Sequence, residues 1–583
     1  MKGNNMFLPI NREEMNKRGW SVPDFVFVTG DAYVDHPSFG AAILTRILEK
    51  EGYKVCVLSQ PDWKDIESFK IFGRPKYGFF VSGGVIDSMV NHYTVNKVKR
   101  KKDVYSPGGD TGKRPDRAVT VYCNKLRQAY GNIPIVIGGI EASLRRFSHY
   151  DYWEDKIKHS VLLDSQADAL IYGMGERSIK EVAKALAENN IKDLYNIRGI
   201  SYVLPENKAE GKIKEFIENH KSFCDTDKEF VMLNSFETVL SDKKAYIQNF
   251  LTQTKENDPA YGRILLEKFQ YKYVVQNPPQ FPLTVEECDE VYDLLYERTY
   301  HPVYKKYGGI DALKEIEFSI TSHRGCFGAC NFCALTYHFG RRIVKRSEES
   351  ILREAKILTE NPNFKGYIHD LGGPTANFRN PSCHKQKNYG VCKDRQCMFP
   401  TLCKNLNVSH REYLGILRKL RKLPKVKKVF IRSGIRFDYL MADKDDTFFY
   451  ELCKYHISGQ LKVAPEHYSD NVLRFMGKCP HFIYESFKEK YEKINKTLGK
   501  KQYLVPYLMS SHPGSTINDA RKMADMLKGD FLPEQVQDFY PTPSTLSTLM
   551  YYTELNPWTL KPIYVAKSQK DKQAQRSLLS KKK

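Results

Sequence analysis

The sequence predicts an α/β protein in two parts: a Rossmann-like amino-terminal domain, followed by a partial (β/α)6 barrel of the TIM type. A first series of short runs is rich in valine and isoleucine, and each run is followed by a helical pattern, which favours a parallel sheet covered by helices. A second series of six strand-like runs with interleaved helical patterns indicates the barrel. The chain has 583 residues, which is too long for one ordinary domain. Its hydrophobic content of 41% is enough to build well-packed cores. We therefore expect two α/β domains in one chain.

The first series of runs lies within residues 1–200, which we assign to the Rossmann-like domain. The runs are short and rich in β-branched residues, as is typical of strands buried on both faces. Residues 39–50 have helical periodicity, with Ile43 and Ile47 on the apolar face. The predicted strands are residues 24–29, 54–59, 77–81, 134–138 and 167–171.

Loops at the carboxyl ends of these strands are the candidate ligand sites of the first domain, because open α/β sheets bind ligands at that edge. The first loop, residues 30–40, is similar to the beginning of a cobalamin-binding domain. The cobalamin pattern Asp-x-His-x-x-Gly is not met, because Asp35 and His36 are adjacent. We therefore expect no cobalamin. The alternative left open is that the glycines of these loops only permit tight turns. The other candidate loops are residues 82–84, 138–143 and 173–176.

Residues 105–117 have a superficial likeness to a phosphate-binding loop. The template G-x-x-x-x-G-K-[ST] is not met, because Arg114 follows Lys113. Pro115 also opposes the start of a helix at this point. We predict an exposed loop here, with the substrate as one candidate neighbour.

The second series of runs predicts the barrel, which we assign to residues 312–565. A helical and extended linker over residues 201–311 is predicted before it, because that region is mixed in pattern and contains a proline-rich connector. A basic, flexible tail is predicted over residues 566–583. Active groups cluster at the carboxyl ends of the strands in such barrels. The six predicted barrel strands are residues 316–320, 366–370, 428–432, 460–464, 503–508 and 536–540.

Three cysteines follow the first barrel strand at the spacing C-x3-C-x2-C: Cys326, Cys330 and Cys333. Thiolates are the ligands of iron–sulfur clusters, and three of them leave one iron of a cubane open to another ligand. Gly325 and Gly328 are small, so the loop can approach a cluster closely. Half of a zinc site or a plain loop is the alternative reading. A disulfide framework is not expected in a large chain without a secretory signal.

The triplet, with an aromatic residue before its last cysteine, resembles the signature of the radical S-adenosylmethionine (SAM) superfamily. The resemblance implies that Cys326, Cys330 and Cys333 bind one [4Fe–4S] cluster and that the open iron binds SAM. It also implies that Phe332 lies near the adenine. The expected chemistry is reductive cleavage of SAM to methionine and a 5′-deoxyadenosyl radical, which abstracts hydrogen from a substrate. A flavodoxin-like or ferredoxin-like protein would then be the electron donor.

The resemblance extends to other strand ends of the barrel. Gly372 and Gly373 match the Gly-Gly stretch that meets the amino group of SAM in the superfamily. Ser433, Arg436 and Glu466 stand at strand ends that are similar to those where the methylthiotransferase-like branch contacts ribose or carboxylate. These five residues are therefore predicted to bind the cofactor, whereas the sequence indicates no catalytic residue.

A second group of four cysteines lies within the barrel, in a long loop with little apolar periodicity: Cys383, Cys392, Cys397 and Cys403. Such a group can hold a second iron–sulfur cluster or a zinc ion. A long loop with few residues to bury needs something to order it, which favours a metal. Unligated, reduced cysteines are the alternative.

The whole chain resembles the YgiQ-type family of radical SAM proteins. The likeness rests on the amino-terminal domain, the motif Gly-Gly-Ile-Glu-Ala-Ser-Leu-Arg-Arg-Phe at residues 138–147, the cysteine triplet, and Gly-Gly-Pro-Thr-Ala-Asn at residues 372–377. It implies a radical SAM enzyme and supplies neither reaction nor substrate. The two alternatives are an RNA-modifying enzyme of the methylthiotransferase type and a non-catalytic protein that binds metal or RNA.

Composition sets the remaining expectations. No run of eighteen apolar residues is present, and the first residues lack the apolar core of a signal peptide, so we expect a cytoplasmic protein without a membrane partner. The formal net charge is +22, which leaves RNA open as a partner. The basic residues are spread along the chain and form no aromatic-interleaved stripe in the sequence. The charge alone therefore does not predict an RNA-binding surface.

Overall fold

A computed structural model describes residues 7–206, 230–527 and 536–579 of the chain. The fold separates into two compact units. The first unit comprises residues 1–283 and 290–317, and the second comprises residues 284–289 and 318–583.

The first unit contains thirteen strands in its described residues, nine of which form one sheet. In chain order, these thirteen strands are β1 Phe25–Thr29, β2 Val34–Asp35, β3 Val55–Ser59, β4 Gly78–Ser82, β5 Ile135–Gly138, β6 His149–Asp151, β7 Lys156–Lys158, β8 Ala169–Ile171, β9 Ile200–Pro205, β10 Phe230–Met232, β11 Ile264–Phe269, β12 Lys272–Gln276 and β13 Thr299–Tyr300. The order of the large sheet is β10-β11-β12-β9-β8-β5-β4-β1-β3. Two small antiparallel pairs, β2 with β13 and β6 with β7, complete the set.

The parallel half of this sheet confirms the predicted Rossmann-like domain. Strands β3, β1, β4, β5 and β8 are parallel neighbours, and all five coincide with predicted strands to within two residues at each end. When these five strands are numbered by their position in the chain, their order across the sheet is 2-1-3-4-5, which is a doubly wound order. Its switch point lies between β1 and β4, where successive strands begin to be added on the other side of β1. Ligands of this fold bind at the carboxyl end of that switch point.

Helices cover the sheet and alternate with its parallel strands. The helix Gly40–Lys50 buries Ile43 and Ile47, as its periodicity predicts. The α-helices in the described residues of 7–206 and 230–316 are Arg12–Lys17, Gly40–Lys50, Ser88–His92, Ala118–Tyr130, Gly139–Ser143, Val161–Ser165, Glu176–Ala187, Ile191–Leu194, Phe236–Ser241, Lys243–Lys255, Val285–Tyr292 and Leu313–Ile316. Short 3-10 helices occur at Glu67–Phe69, Pro107–Gly109 and Pro302–Tyr307.

The structure divides the chain differently from the predicted boundaries. Strands β9 to β12 continue the first sheet, with β9 antiparallel to both β8 and β12, so most of the predicted linker over residues 201–311 belongs to the first unit. The pairing gives the physical reason: Leu265, Val274 and Val275 are buried by the sheet that they extend. The weak local pattern did not show that these residues pair with a distant strand.

The switch point of the first sheet is closed by the chain's own charges. The guanidinium of Arg114 is fully buried, and it pairs with Asp31 at 2.8 Å and with Asp103 at 3.4 Å. It also donates to the carbonyl oxygen of Gly83 at 2.8 Å. Gly30 is packed so closely that an added Cβ would lie 2.3 Å from that same oxygen. The prediction of an exposed loop at residues 105–117 is therefore wrong at Arg114, because this side chain fills the edge where a ligand of the fold would bind.

The second unit is the predicted partial (β/α)6 barrel. Its strands are β14 Ser319–Thr321, β15 His323–Arg324, β16 Val344–Lys345, β17 Tyr367–Ile368, β18 Asp370–Gly372, β19 Lys428–Val429, β20 Gln460–Glu466, β21 Tyr503–Ser510 and β22 Val536–Asp538. β17 and β18 together form the second barrel strand. The parallel ladders are β14 with β18, β17 with β19, and β20 with β21 and then β22. A parallel bridge from Ile435 to Val463 joins the two halves, so the six strands follow one another in chain order.

Amphipathic helices cover the barrel and enclose an apolar core that includes Ile320, Leu371, Val429, Leu461 and Leu508. The helices are Ala334–Phe339, Glu348–Glu360, His384–Tyr389, Arg411–Leu420, Phe437–Met441, Thr447–Glu451, Asp470–Met476, His481–Leu498, Ile517–Met526, Leu546–Thr553 and Gln569–Ser577, with a π-helical turn at Leu452–His456. In the described residues, no helix is both long enough and apolar enough to cross a membrane.

Two ends of the barrel differ from their predictions. The first strand was predicted at residues 316–320, but residue 316 is the last residue of the helix Leu313–Ile316, and the observed strand is β14. The predicted flexible tail contains the helix Gln569–Ser577. Its Gln575 accepts from Ser511 N at 3.2 Å and donates to Ser515 O at 2.7 Å, and these buried contacts hold the helix to the end of β21. The last predicted tail residues, 580–583, lie outside the described residues.

Candidate active site

The loop of Cys326, Cys330 and Cys333 begins directly after β15, beyond the carboxyl end of the first barrel strand. Gly325 has φ +84°, and an added Cβ would lie 1.8 Å from the carbonyl oxygen of Arg342. A Cβ on Gly328 would lie 3.3 Å from Cys326 Sγ. Gly325 therefore has to be glycine and Gly328 has little room for a side chain, so the backbone of this loop passes close to its surroundings.

The three thiols are free, part-buried and electrostatically coupled. Burial raises the pKa of Cys326, and the neighbouring Cys330 raises it further. Burial, Cys330 and Cys326 together raise the pKa of Cys333 to about 12. Thiols that disfavour one another's ionisation in this way are suited to a metal centre, which deprotonates its thiol ligands on binding.

The donor set fits the [4Fe–4S] cluster that the superfamily implies. Each cysteine of such a cluster binds a different iron, so the sulfurs need not converge on one ion. In residues 7–206, 230–527 and 536–579, no three His, Cys, Asp or Glu side chains do converge on a single ion. Thr375 Oγ1 lies 3.5 Å from Cys326 Sγ, and hydrogen bonds of this kind tune the potential of a cluster.

Arg436 lies beside the sulfur of Cys330, and its predicted contact to the cofactor stays a prediction. Its Nη1 is 3.5 Å from Cys330 Sγ, and its Nε donates to Asp438 at 2.8 Å. Asn377 fixes its backbone by accepting from Arg436 N at 2.9 Å. The Asp438 carboxylate holds the pKa of Arg436 well above its ordinary value although burial opposes this, so the side chain brings a permanent positive charge to the thiols.

Gly372 and Gly373 lie at the carboxyl end of β18, as predicted for a strand-end contact, and neither has room for a side chain. A Cβ on Gly372 would lie 2.0 Å from Ser433 Oγ, and one on Gly373 would lie 2.5 Å from the ring of His323. The hydroxyl of Ser433 already donates to Asp370, whose carboxylate also accepts from Ser433 N at 3.2 Å. Ser433 therefore positions Asp370, and its predicted contact to the cofactor is not supported by its hydrogen bonding.

Glu466 is the least satisfied charge at the barrel's carboxyl edge. It has φ +70° at the end of β20, where the ladder with β21 shifts register. Within the described part of the chain, its carboxylate makes one long ion pair, 3.9 Å from Lys478 Nζ, and burial raises its pKa. A strained backbone that presents a nearly free carboxylate is typical of a functional position.

Phe332 and its neighbour Asn331 clamp the cysteine loop to the helix Asp470–Met476. Phe332 packs on the apolar residues of that helix, and its ring centroid lies 6.4 Å from that of His512. Asn331 N donates to Met476 O at 2.9 Å, and Asn331 Nδ2 donates to Phe475 O at 2.9 Å. These contacts fix the ring that the resemblance places beside the adenine.

Four residues near the thiols were not predicted: His323, Asn331, Thr375 and Asp438. Asn331 lies between the second and third cysteines of the triplet, so its position in the sequence was enough to predict that it lies near the thiols. His323 is neutral, because burial lowers its pKa to about 3, and its ring nitrogens contact Ser322 Oγ at 2.7 Å and Thr375 O at 3.0 Å. Thr375 lies in the motif of residues 372–377, whereas Asp438 carries no sequence signal of its own and acts on the thiols through Arg436.

The second cysteine group is partly assembled by the loop that carries it. Cys397 Sγ lies 3.4 Å from Ser382 Oγ, which also lies 3.9 Å from Cys383 Sγ. Burial, Cys383 and Cys403 raise the pKa of Cys397, so these three thiols lie close enough to interact. Cys392 contributes its carbonyl oxygen to Arg341 at 2.5 Å.

The loop of the second cysteine group is ordered by its own apolar contacts. Met398 is buried with Phe327 and Phe378, and Leu402 and Leu406 pack on the same cluster. The premise that this loop has few residues to bury is therefore wrong, so the order of the loop is no argument for a metal. Metal binding by these four cysteines stays a prediction.

Comparison with known proteins agrees with this fold and site. Residues 7–319 match the model described as Radical SAM N-terminal, residues 320–527 match the Radical SAM superfamily, and residues 534–583 match a domain of unknown function, DUF3362. A UPF0313 protein of Clostridium botulinum is 57% identical over 98% of this chain and 86% of its own length. One from Clostridium perfringens is 55% identical over 99% of this chain and 85% of its own length.

These matches define a radical SAM enzyme. Within that superfamily the chain belongs to the UPF0313 family, in agreement with the resemblance to YgiQ-type proteins.

Solved structures of a radical SAM methyltransferase, TsrM from Kitasatospora setae, are more distantly similar. Two of them align with a TM-score of 0.48 and 14% identity. One covers 89% of this chain and 74% of that chain and holds tryptophan and a SAM analogue; the other covers 90% of this chain and holds cobalamin and a [4Fe–4S] cluster. At this similarity the ligands are properties of TsrM alone. The cobalamin of TsrM gives no support to our expectation that cobalamin is absent here, which stays a prediction.

Proposed function

We propose that Cys326, Cys330 and Cys333 hold one [4Fe–4S] cluster that binds SAM at its open iron. When bound, the cluster would supply one electron to the sulfonium of SAM, which releases methionine and a 5′-deoxyadenosyl radical that takes a hydrogen atom from the substrate. The observation that carries this proposal is the meeting of three coupled thiols in a loop that only glycine permits, at the carboxyl ends of the barrel strands.

The chain's own residues supply binding and position in this proposal. The guanidinium of Arg436 stabilises thiolate charge at Cys330, and the hydroxyl of Thr375 does so at Cys326. Phe332 offers an apolar face to the adenine, and the carbonyls of Gly372 and Gly373 accept from the ammonium of SAM. Glu466 is the free acceptor for a hydroxyl or ammonium group of the ligand. The location is proposed to be the cytoplasm, where thiol ligands stay reduced.

Anaerobic reconstitution tests the cluster directly. We expect the wild-type protein to bind about four irons per chain if one cluster is present and about eight if the second cysteine group holds another. Cys330→Ala should lose the iron of the first cluster and all formation of 5′-deoxyadenosine. Cys453→Ala is the matched control, because Cys453 is a buried core cysteine and should leave both measurements unchanged. Formation of 5′-deoxyadenosine by Cys330→Ala at the wild-type rate would refute the proposal.

The second cysteine group is tested in the same experiment. We propose that Cys397, with Cys383 and Cys403, binds iron or zinc, because these three thiols lie close enough to interact electrostatically and Cys397 also contacts the hydroxyl of Ser382. Cys397→Ala should lower the metal content without removing the first cluster. A metal content equal to that of the wild type would show that these cysteines are unligated.

The methylthiotransferase alternative gains no support from residues 1–200. Such enzymes carry a further cysteine trio in this domain, whereas residues 1–200 contain Cys56 and Cys123, and each is buried in the apolar core of the sheet. Burial raises the pKa of Cys56 to about 12, as expected of a thiol that packs and does not ligate.

A further inference from the structure

Lysines gather at the end of the barrel opposite the cysteine loop. Four segments lead into the second to fifth barrel strands, and the amino ends of parallel strands share one edge. These segments are residues 365–367, 421–428, 454–460 and 499–503, and none contains Asp or Glu. We call their eight lysines the basic face: Lys365, Lys422, Lys425, Lys427, Lys428, Lys454, Lys500 and Lys501.

Contacts between the segments show that the basic face is continuous. Lys427 N and Lys428 N donate to Gly366 O at 2.7 and 3.1 Å, and a Cβ on Gly366 would lie 2.8 Å from the Lys427 side chain. Lys500 Nζ donates to Cys453 O at 3.2 Å. Burial, Lys428 and Lys454 lower the pKa of Lys500, so positive charges from three segments lie close together.

Aromatic side chains are exposed among these lysines. Tyr503 is 58% exposed, and Tyr367 and Tyr455 are also exposed at the surface. Tyr367 stacks on Phe430 with ring centroids 6.1 Å apart, and the guanidinium of Arg421 lies 3.9 Å above the Tyr455 ring. Exposed rings held in place beside cations are the usual platform for stacking bases.

We propose that the basic face binds RNA through phosphates and unpaired bases. Eight lysines from segments that contain no acid attract a polyanion, and the tyrosines offer faces to bases that are not paired. The neighbouring acid Glu451 is paired with Arg421 at 2.9 Å. RNA is favoured over other polyanions because its loops present such bases. An anionic membrane would also attract the lysines, and the vesicle comparison in the test below separates it from RNA. This inference goes beyond the proposed function and holds whether or not the chain cleaves SAM.

The test is fluorescence anisotropy of the full-length protein with a labelled, mixed-sequence single-stranded RNA over a range of salt concentrations. One variant removes four exposed lysines of the face: Lys365→Gln, Lys422→Gln, Lys427→Gln and Lys501→Gln. The matched control removes four exposed lysines elsewhere and has the same net charge: Lys101→Gln, Lys113→Gln, Lys522→Gln and Lys561→Gln. Both should keep the far-ultraviolet circular dichroism of the wild type and its yield of 5′-deoxyadenosine, which separates this test from that of the proposed function.

We expect the face variant to bind RNA at least about tenfold more weakly and to lower the salt slope of log K by up to about 3, since each lost phosphate contact contributes about 0.7. The control should bind nearly as the wild type does. Tyr503→Ala should weaken binding about fivefold or more through lost stacking. Equal weakening in both quadruple variants would overturn the proposal. So would tighter binding to heparin, duplex DNA or phosphatidylserine vesicles than to RNA, or a Tyr503→Ala variant that binds RNA unchanged.

Discussion

The two sheets of this protein end in different ways at their carboxyl edges. In the first unit, Arg114 pairs with Asp31 and Asp103 at the switch point, so the edge is filled by the chain's own buried charges. In the barrel, the same edge has three coupled thiols and the poorly paired carboxylate of Glu466. Both folds bind ligands at this edge in other proteins. The comparison teaches that the chain can fill such an edge with its own ion pairs, or can assemble donor groups for a ligand there.

The largest expected effect concerns the closed edge. Arg114→Met leaves Asp31 and Asp103 buried without their cation, which should cost about 3–5 kcal/mol of stability. Urea denaturation followed by circular dichroism measures the loss, and 5′-deoxyadenosine formed per cluster should not change. A loss below about 1 kcal/mol would mean that the edge is not held together by this cation.

Substitution of Arg436 should change both the stability of the protein and the potential of the cluster, because this side chain pairs with Asp438 and also contacts the sulfur of Cys330. Arg436→Gln leaves Asp438 buried and unpaired, with an expected loss of about 3 kcal/mol. It also removes a positive charge beside Cys330, so the midpoint potential of the reconstituted cluster should fall, as followed by electron paramagnetic resonance. Adding Asp438→Asn should restore stability but not the potential. Restoration of both would show that Arg436 acts only on the fold.

The closed edge should also respond to pH. Burial raises the pKa of Asp31 to about 6 against the pull of Arg114, whereas its unfolded value is near 3.8. Because the folded pKa is the higher one, the stabilising contribution of Asp31 is complete below about pH 4 and is lost as the pH rises to about 6. Asp31→Asn should therefore gain up to about 3 kcal/mol relative to the wild type between pH 4 and pH 7. Parallel stability curves for the two proteins would contradict this pKa.

The smallest effect is expected at Ser433, whose hydroxyl donates to Asp370. Ser433→Ala should cost about 1 kcal/mol of stability and change the KM for SAM less than twofold. Glu466→Gln is the matched comparison at the same edge, and it should raise that KM about tenfold, because a free carboxylate forms a charge-assisted hydrogen bond. A larger rise in KM for Ser433→Ala than for Glu466→Gln would reverse the roles given to these residues.

Local sequence patterns predicted the parallel strands and the cysteine site. Features that depend on contacts between distant segments were not predicted from the sequence. The five parallel strands of the first sheet carry β-branched runs, and the cysteine triplet is contiguous in sequence. Strands β9 to β12 were not assigned to this sheet, because the pairing that joins them to it places Lys272 opposite Pro205, and a local pattern does not show such a distant pairing. The closure of the switch point by Arg114 was equally invisible, since it depends on three segments meeting.

The basic face shows the same limit for charge. Its lysines come from four segments that are up to about 130 residues apart, so the sequence presents them as scattered. The barrel brings them together because every one of those segments precedes a parallel strand. Surface charge that is spread evenly in a sequence can therefore be strongly polarised on the folded protein.

The helix Gln569–Ser577 has a practical consequence for expression and trimming. Its Gln575 bonds Ser511 and Ser515, and its Arg576 pairs with Asp538 at 3.3 Å, so it braces the ends of the fifth and sixth barrel strands. A deletion that begins at residue 566 would uncover the side of the barrel where those strands end. Purification tags and fusion partners are better joined to the other end of the polypeptide.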